Sequence, residues 1–128
     1  MGTRSTTKIY SDGELLLALY KQYDGYTDSW GKELKEFIKS GVFVNGISVY
    51  KQENKNMFNG IGDFALQLVT NFKEGVGGLY ATTEGDSQEY NYRLDWISPT
   101  KEGEKSILKI ICLEEASFNE TIKMDVEE

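Results

Sequence analysis

Thr3-Arg4-Ser5-Thr6-Thr7-Lys8-Ile9-Tyr10, then Ser11-Asp12-Gly13, then Glu14-Leu15-Leu16-Leu17-Ala18-Leu19-Tyr20-Lys21-Gln22 is the stretch that decides how the chain folds. Two runs of β-branched, aromatic and aliphatic residues flank a turn tripeptide, which is the pattern of a β-hairpin. A three-residue loop with glycine in the left-handed position sets Tyr10 opposite Glu14 and Ile9 opposite Leu15. Counting on, Arg4 falls opposite Tyr20 and Gly2 opposite Gln22; a two-residue turn shifts this pairing by one position. Ile9, Leu15, Leu17 and Leu19 then share one face, while Lys8, Tyr10, Leu16, Ala18 and Tyr20 share the other. Neither face is purely polar, so the second strand reads as a central one, covered on both sides.

Working outward, residues 29–40 read as an amphipathic helix, with Trp30, Leu34, Phe37 and Ile38 on one stripe. Asp28 or Ser29 suits its start and Gly41 its end. Residues 42–58 read as a connector anchored by Val42-Phe43-Val44 and Ile47, and a second helix follows over 60–74. After Gly75-Val76-Gly77-Gly78 the pattern becomes β. Residues 79–83 and 88–97 flank Glu84-Gly85-Asp86-Ser87 as a second hairpin, in which Tyr90, Tyr92, Leu94 and Trp96 alternate with polar residues. Residues 106–113 make a further apolar strand, and the segment around Ser117–Ile122 is either a capped helix or a short strand. The expected fold is α+β, in the order ββααβββ: one antiparallel sheet of about five strands with two helices.

Composition bounds the function. At 128 residues the chain is long enough for one domain that needs no disulfide. The net charge is −7, and residues 114–128 carry six acids and one base, or −5, leaving −2 for the rest. This divides the chain into a domain over 1–113 and an acidic, partly ordered C-terminal segment over 114–128. No basic stripe is present to bind a nucleic-acid backbone. No apolar run approaches the roughly 20 residues needed to cross a bilayer, and no signal peptide precedes the first strand, so a cytoplasmic location is expected. Residues 1–6 have the form of an N-myristoylation signal but lack a basic cluster to reinforce one acyl chain. The lone Cys112 lies in an apolar run and reads as a buried, unreactive thiol. Histidine is absent, which removes the usual general base, the Ser-His and Cys-His pairs and nearly all zinc sites. The expectation is a protein without metal or cofactor, and without enzymatic activity.

The candidate site lies where the hairpin brings Gly2-Thr3-Arg4-Ser5 beside Tyr20-Lys21-Gln22-Tyr23-Asp24-Gly25-Tyr26. Arg4, Ser5, Tyr20, Gln22, Tyr23, Asp24, Tyr26 and Trp30 are its candidate ligand- or partner-binding residues. Arginine offers a planar fork for carboxylate or phosphate, tyrosines offer flat surfaces with a polar tip, and a helix N-terminus adds N–H donors. With twelve lysines and only two arginines, Arg4 and Arg93, each arginine reads as selected for its fork. The structural reading is that Asp24 pairs with Arg4 to fasten the N-terminus, with the tyrosines at the rim of the core. The Gly75–Gly78 run follows a helix and reads as a cap and bulge rather than a phosphate loop.

The combination of Gly-Thr-Arg-Ser at 2–5 with Tyr20-x-x-Tyr23-Asp24-Gly25-Tyr26 resembles a group of small proteins of bacteriophages, prophages and bacteria. The resemblance covers about the first 40 residues. Members carry a Tyr-x-His-Trp-Asp-Gly-Tyr-Pro-like block, and this chain departs at Gln22 and Thr27, where histidine and proline are common. It implies a viral or mobile-element origin and stoichiometric binding to a host protein, such as a defence component, in the cytoplasm of a bacterial host. Two alternatives accompany it: a binder that sequesters a nucleotide or similar small anion, and an enzyme acting on a nucleotide or sugar through Asp24, Tyr26 or Arg4. A homodimer is compatible with the first.

Overall fold

The computed structural model describes residues 2–44, 56–100, 105–124 and 126–127. Along the chain run β1 (Ser5–Ser11), β2 (Glu14–Lys21), a π-helical turn (Thr27–Gly31), α1 (Lys32–Lys39), β3 (Gly41–Val44), β4 (Asn56–Asn59) and α2 (Gly60–Phe72). Then come β5 (Leu79–Ala81), β6 (Tyr90–Ile97), β7 (Ser106–Cys112), a 3-10 turn (Ala116–Phe118), β8 (Glu120–Met124) and β9 (Val126–Glu127). The class is α+β, with two helices and a mostly antiparallel six-stranded sheet in the order β5-β2-β1-β6-β7-β8.

The first hairpin forms, but with a shifted register. Its loop is the two-residue Asp12-Gly13, and both residues take positive φ, at 48° and 87°. That is the turn geometry whose twist matches antiparallel strands. Ser11 therefore pairs with Glu14 and Tyr10 with Leu15, and a bulge after Tyr10 then sets Ile9 opposite Leu17. Thr6 stands opposite Tyr20, in place of the expected Arg4, and Ser5 opposite Lys21. Thr7, Ile9, Leu17, Leu19 and Lys21 consequently face the helices. Leu16, displaced by the bulge, is 46% exposed, and β2 lies next to the sheet edge rather than at its centre.

Two further expectations are corrected, and the segment left open between helix and strand takes a definite form. Residues 79–83 and 88–97 do not form a hairpin: β5 pairs with β2, while β6 pairs in parallel with β1 over Ser5–Ser11 and antiparallel with β7. The intervening 82–89 segment crosses the sheet face away from the helices. It is held there by the Lys8 ammonium donating to the Asp86 carbonyl at 2.6 Å and the Tyr10 hydroxyl donating to Glu84 at 3.1 Å. The connector contains two strands, β3 and β4, which with β9 make a second, parallel sheet in the order β4-β3-β9. Its expected anchor Ile47 lies outside the described residues. Finally, residues 116–124 are built into the fold: Phe118 is buried and β8 extends the large sheet beside β7.

A run of contacting rings forms the core: Trp30, Phe72, Phe37, Phe58, Phe64, Phe43 and Trp96, with neighbouring centroids 4.9–5.7 Å apart. Such spacing suits tilted and edge-to-face packing. It joins α1, α2 and the small sheet to the inner face of the large one. Cys112 is buried in this core, and burial pushes its thiol up, which keeps it protonated at neutral pH. No helix among the described residues is long and apolar enough to cross a membrane.

Candidate functional site

The N-terminal segment folds back against the turn that leads into the helical region. The Gly25 N–H donates to the Thr3 carbonyl at 3.0 Å, and the Tyr92 hydroxyl donates to the Gly25 carbonyl at 2.6 Å. Gly25 has no room for a side chain: a Cβ there would lie 2.8 Å from Ser5 Cβ and 3.0 Å from the Thr3 carbonyl oxygen. A Cβ on Gly2 would likewise lie 2.3 Å from the Tyr23 ring. The paired motifs are thus fitted together by close backbone approach. Asp24 takes positive φ (56°), a conformation that aspartate tolerates better than most residues.

This packing sorts the candidate residues. Ser5 is wholly buried beneath Gly25, and its hydroxyl has no hydrogen-bond partner. Trp30 is 1% exposed and its indole N–H donates to Thr7 Oγ1 at 2.8 Å. Tyr20 packs on Tyr80, with ring centroids 5.8 Å apart, on the sheet face opposite the helices. Gln22 is tied through its backbone N–H to the Gly78 carbonyl at 2.9 Å. Arg4, Tyr23, Asp24 and Tyr26 remain exposed together at one end of the large sheet. The Tyr90 N–H holds the Arg4 carbonyl at 3.2 Å, and the Tyr26 ring meets the Tyr90 ring edge-on at 6.0 Å. Leu113, 69% exposed, sits at the same end, its N–H donating to the Asn91 carbonyl.

Among the described residues no ion pair joins Arg4 to Asp24, so the expected fastening is made by backbone hydrogen bonds instead. Three amides of the helical entry are engaged within the chain. Ser29 and Gly31 donate to the Tyr26 carbonyl and Trp30 to the Asp24 carbonyl, all at 3.1 Å. The other arginine, Arg93, is engaged on the opposite sheet face, paired with Asp95 at 2.7 Å and stacked 3.8 Å above the Tyr10 ring.

A cavity of about 420 Å³ opens beside Tyr23, and Arg4 is not among its lining residues. Lys21, Tyr23, Trp30, Glu33, Phe72 and Glu74 line it, together with the backbone turn over 76–79. Sequence reasoning missed Lys21, Glu33, Phe72 and Glu74. Lys21 continues the inward row of Leu17 and Leu19 by simple alternation, a signal the sequence carried. Among the described residues, no group of three or more His, Cys, Asp or Glu is placed to hold a metal ion.

No family model matches the chain, and no curated protein or solved structure matches it either. The chemistry of the site therefore stands on its geometry.

Proposed function

We propose that the protein acts by stoichiometric binding to another protein, through a contact surface formed by Arg4, Tyr23, Tyr26 and Leu113. The observation that carries this reading is the exposure of an arginine and two tyrosines on a corner made rigid by the Gly2 and Gly25 contacts. Tyrosine and arginine dominate the energetics of protein interfaces, and a preorganised surface loses little conformational entropy on binding. Tyr23 and Tyr26 are 52% and 46% exposed, so their rings are free to enter a partner's surface. A nucleotide or anion beside Arg4 has less support, because the amides of Ser29, Trp30 and Gly31 are engaged by backbone carbonyls. The resemblance to small phage and prophage proteins supports a host protein as the partner, with inhibition of a cytoplasmic defence component as the outcome. No acid–base pair on this surface favours catalysis.

The test compares the wild-type chain, an Arg4→Ala/Tyr23→Ala/Tyr26→Ala variant and a Leu66→Ala control as bait for bacterial lysate, followed by titration of the captured protein. Leu66 is exposed on α2 and belongs to no part of the proposed surface. Wild type and control are expected to bind one partner at one-to-one stoichiometry. The triple variant should bind at least about 30-fold more weakly, the scale of a hot-spot cluster worth about 2 kcal/mol. Equal binding by the triple variant would overturn the assignment of the surface.

A further inference from the structure

The cavity beside Tyr23 contains charges that the fold itself does not pair. Lys21 lies on the inward face of β2, opposite Ser5, where its neighbours along the row are Leu17 and Leu19. Its ammonium sits 5.2 Å from the centre of the Trp30 ring. Among the described residues it has no carboxylate within ion-pair distance, although Glu33 and Glu74 line the same space. A part-buried ammonium without a counter-ion is costly, and one on the wall of an open cavity is available to an anionic group. The two glutamates offer the opposite preference at other points of the wall. The same wall carries aromatic side chains, the exposed Tyr23 together with Trp30 and Phe72. The volume lies within the roughly 300–1,000 Å³ typical of small-molecule sites.

We infer that this cavity is a binding site for a small planar zwitterion, a molecule with an aromatic ring, an acid group for Lys21 and a protonated amine for Glu33 or Glu74. A free aromatic amino acid has this chemistry. A dianionic ligand fits less well, because the lining carries two carboxylates against one ammonium. The site is separate from the protein-binding surface, with Tyr23 as the one residue common to both.

The experiment titrates the full chain with L-tryptophan, 3-indolepropionate (acid only), tryptamine (amine only) and adenosine monophosphate, following backbone amide NMR shifts and heats of binding. Tryptophan is expected to shift residues 21, 23, 33, 74 and 76–79 and to bind at least tenfold more tightly than either single-charge analogue. Lys21→Met should weaken tryptophan at least tenfold, and Glu33→Gln/Glu74→Gln should do the same without weakening 3-indolepropionate. Arg4→Ala/Tyr26→Ala, which disables the proposed protein contact, should leave tryptophan binding intact, so the two assignments fail separately. The inference is overturned if tryptophan at millimolar concentration shifts none of these residues, if the single-charge analogues bind equally well, or if adenosine monophosphate binds more tightly than tryptophan.

Discussion

Ser5 and Gly25 show how a motif that reads as chemistry can be fitted together by packing. The serine hydroxyl is buried with no partner, and an unpaired buried polar group costs about 1–3 kcal/mol, so Ser5→Ala is expected to raise stability by about 1 kcal/mol. Gly25→Ala should have the opposite sign, because its methyl group meets Ser5 Cβ and the Thr3 carbonyl at clashing distance; a loss of about 1–3 kcal/mol is expected. Urea denaturation of both variants tests this, and two changes of the same sign would contradict the packing described. The sequence made the proximity of these residues legible, since a hairpin leaves its ends side by side. It also made legible that Ile9, Leu17 and Leu19 face inward. What it hid is the register, because the two-residue turn puts Leu15 opposite Tyr10 and a bulge in β2, a position no local pattern specifies, then sets Ser5 opposite Lys21. Arg4 and Tyr26 lie beyond the paired strands in the structure, and both are exposed.

At the scale of elements, β8 turns an acidic segment into a structural one. Glu120 receives Lys39 at 2.8 Å and Lys35 at 3.5 Å, which ties the edge of the large sheet to α1. The hydrogen bond from Lys39 is the largest influence that holds its carboxyl below the usual range. A carboxylate depressed in the folded state contributes stability above its unfolded value, and that contribution is lost as pH falls through the folded value. The difference in urea midpoint between wild type and Glu120→Gln should therefore be largest near neutral pH and shrink below about pH 4. A gap that widened on acidification would reverse the assignment. Glu114 and Glu115 are likewise engaged, Glu114 accepting from Asn91 at 2.6 and 2.8 Å and Glu115 from the Thr27 hydroxyl. Six acids in fifteen residues read as a solvated tail because charge alone carries no record of its partners. The lysines that meet Glu120 lie 81 and 85 positions earlier, on a helix face that reads as simply wet.

The whole molecule follows from which strands become neighbours. Fold class, both helices, the first hairpin and the alternating faces of β6 were legible, since each is a local pattern. The parallel pairings of β1 with β6 and of β3 with β4 and β9 were not, because they join segments with no turn between them. The segment after residue 113, expected to be partly ordered, also packs on the domain. Phe118 packs on Tyr92 at 5.5 Å, and Ile122 lies against the core from β8. A chain stopped after Leu113 is expected to lose near-ultraviolet circular dichroism and cooperative thermal unfolding, whereas retention of both would show that the later segment is dispensable. The union of β1 with β6 also governs how the protein can be made. Ser5 leaves the ribosome early, but its neighbour Tyr90 is synthesised 85 residues later. Until then one side of β1 has open hydrogen-bonding groups, available to another nascent chain. Slow translation over the middle of the message should therefore lower the yield of native protein, and release of a completed chain should raise it.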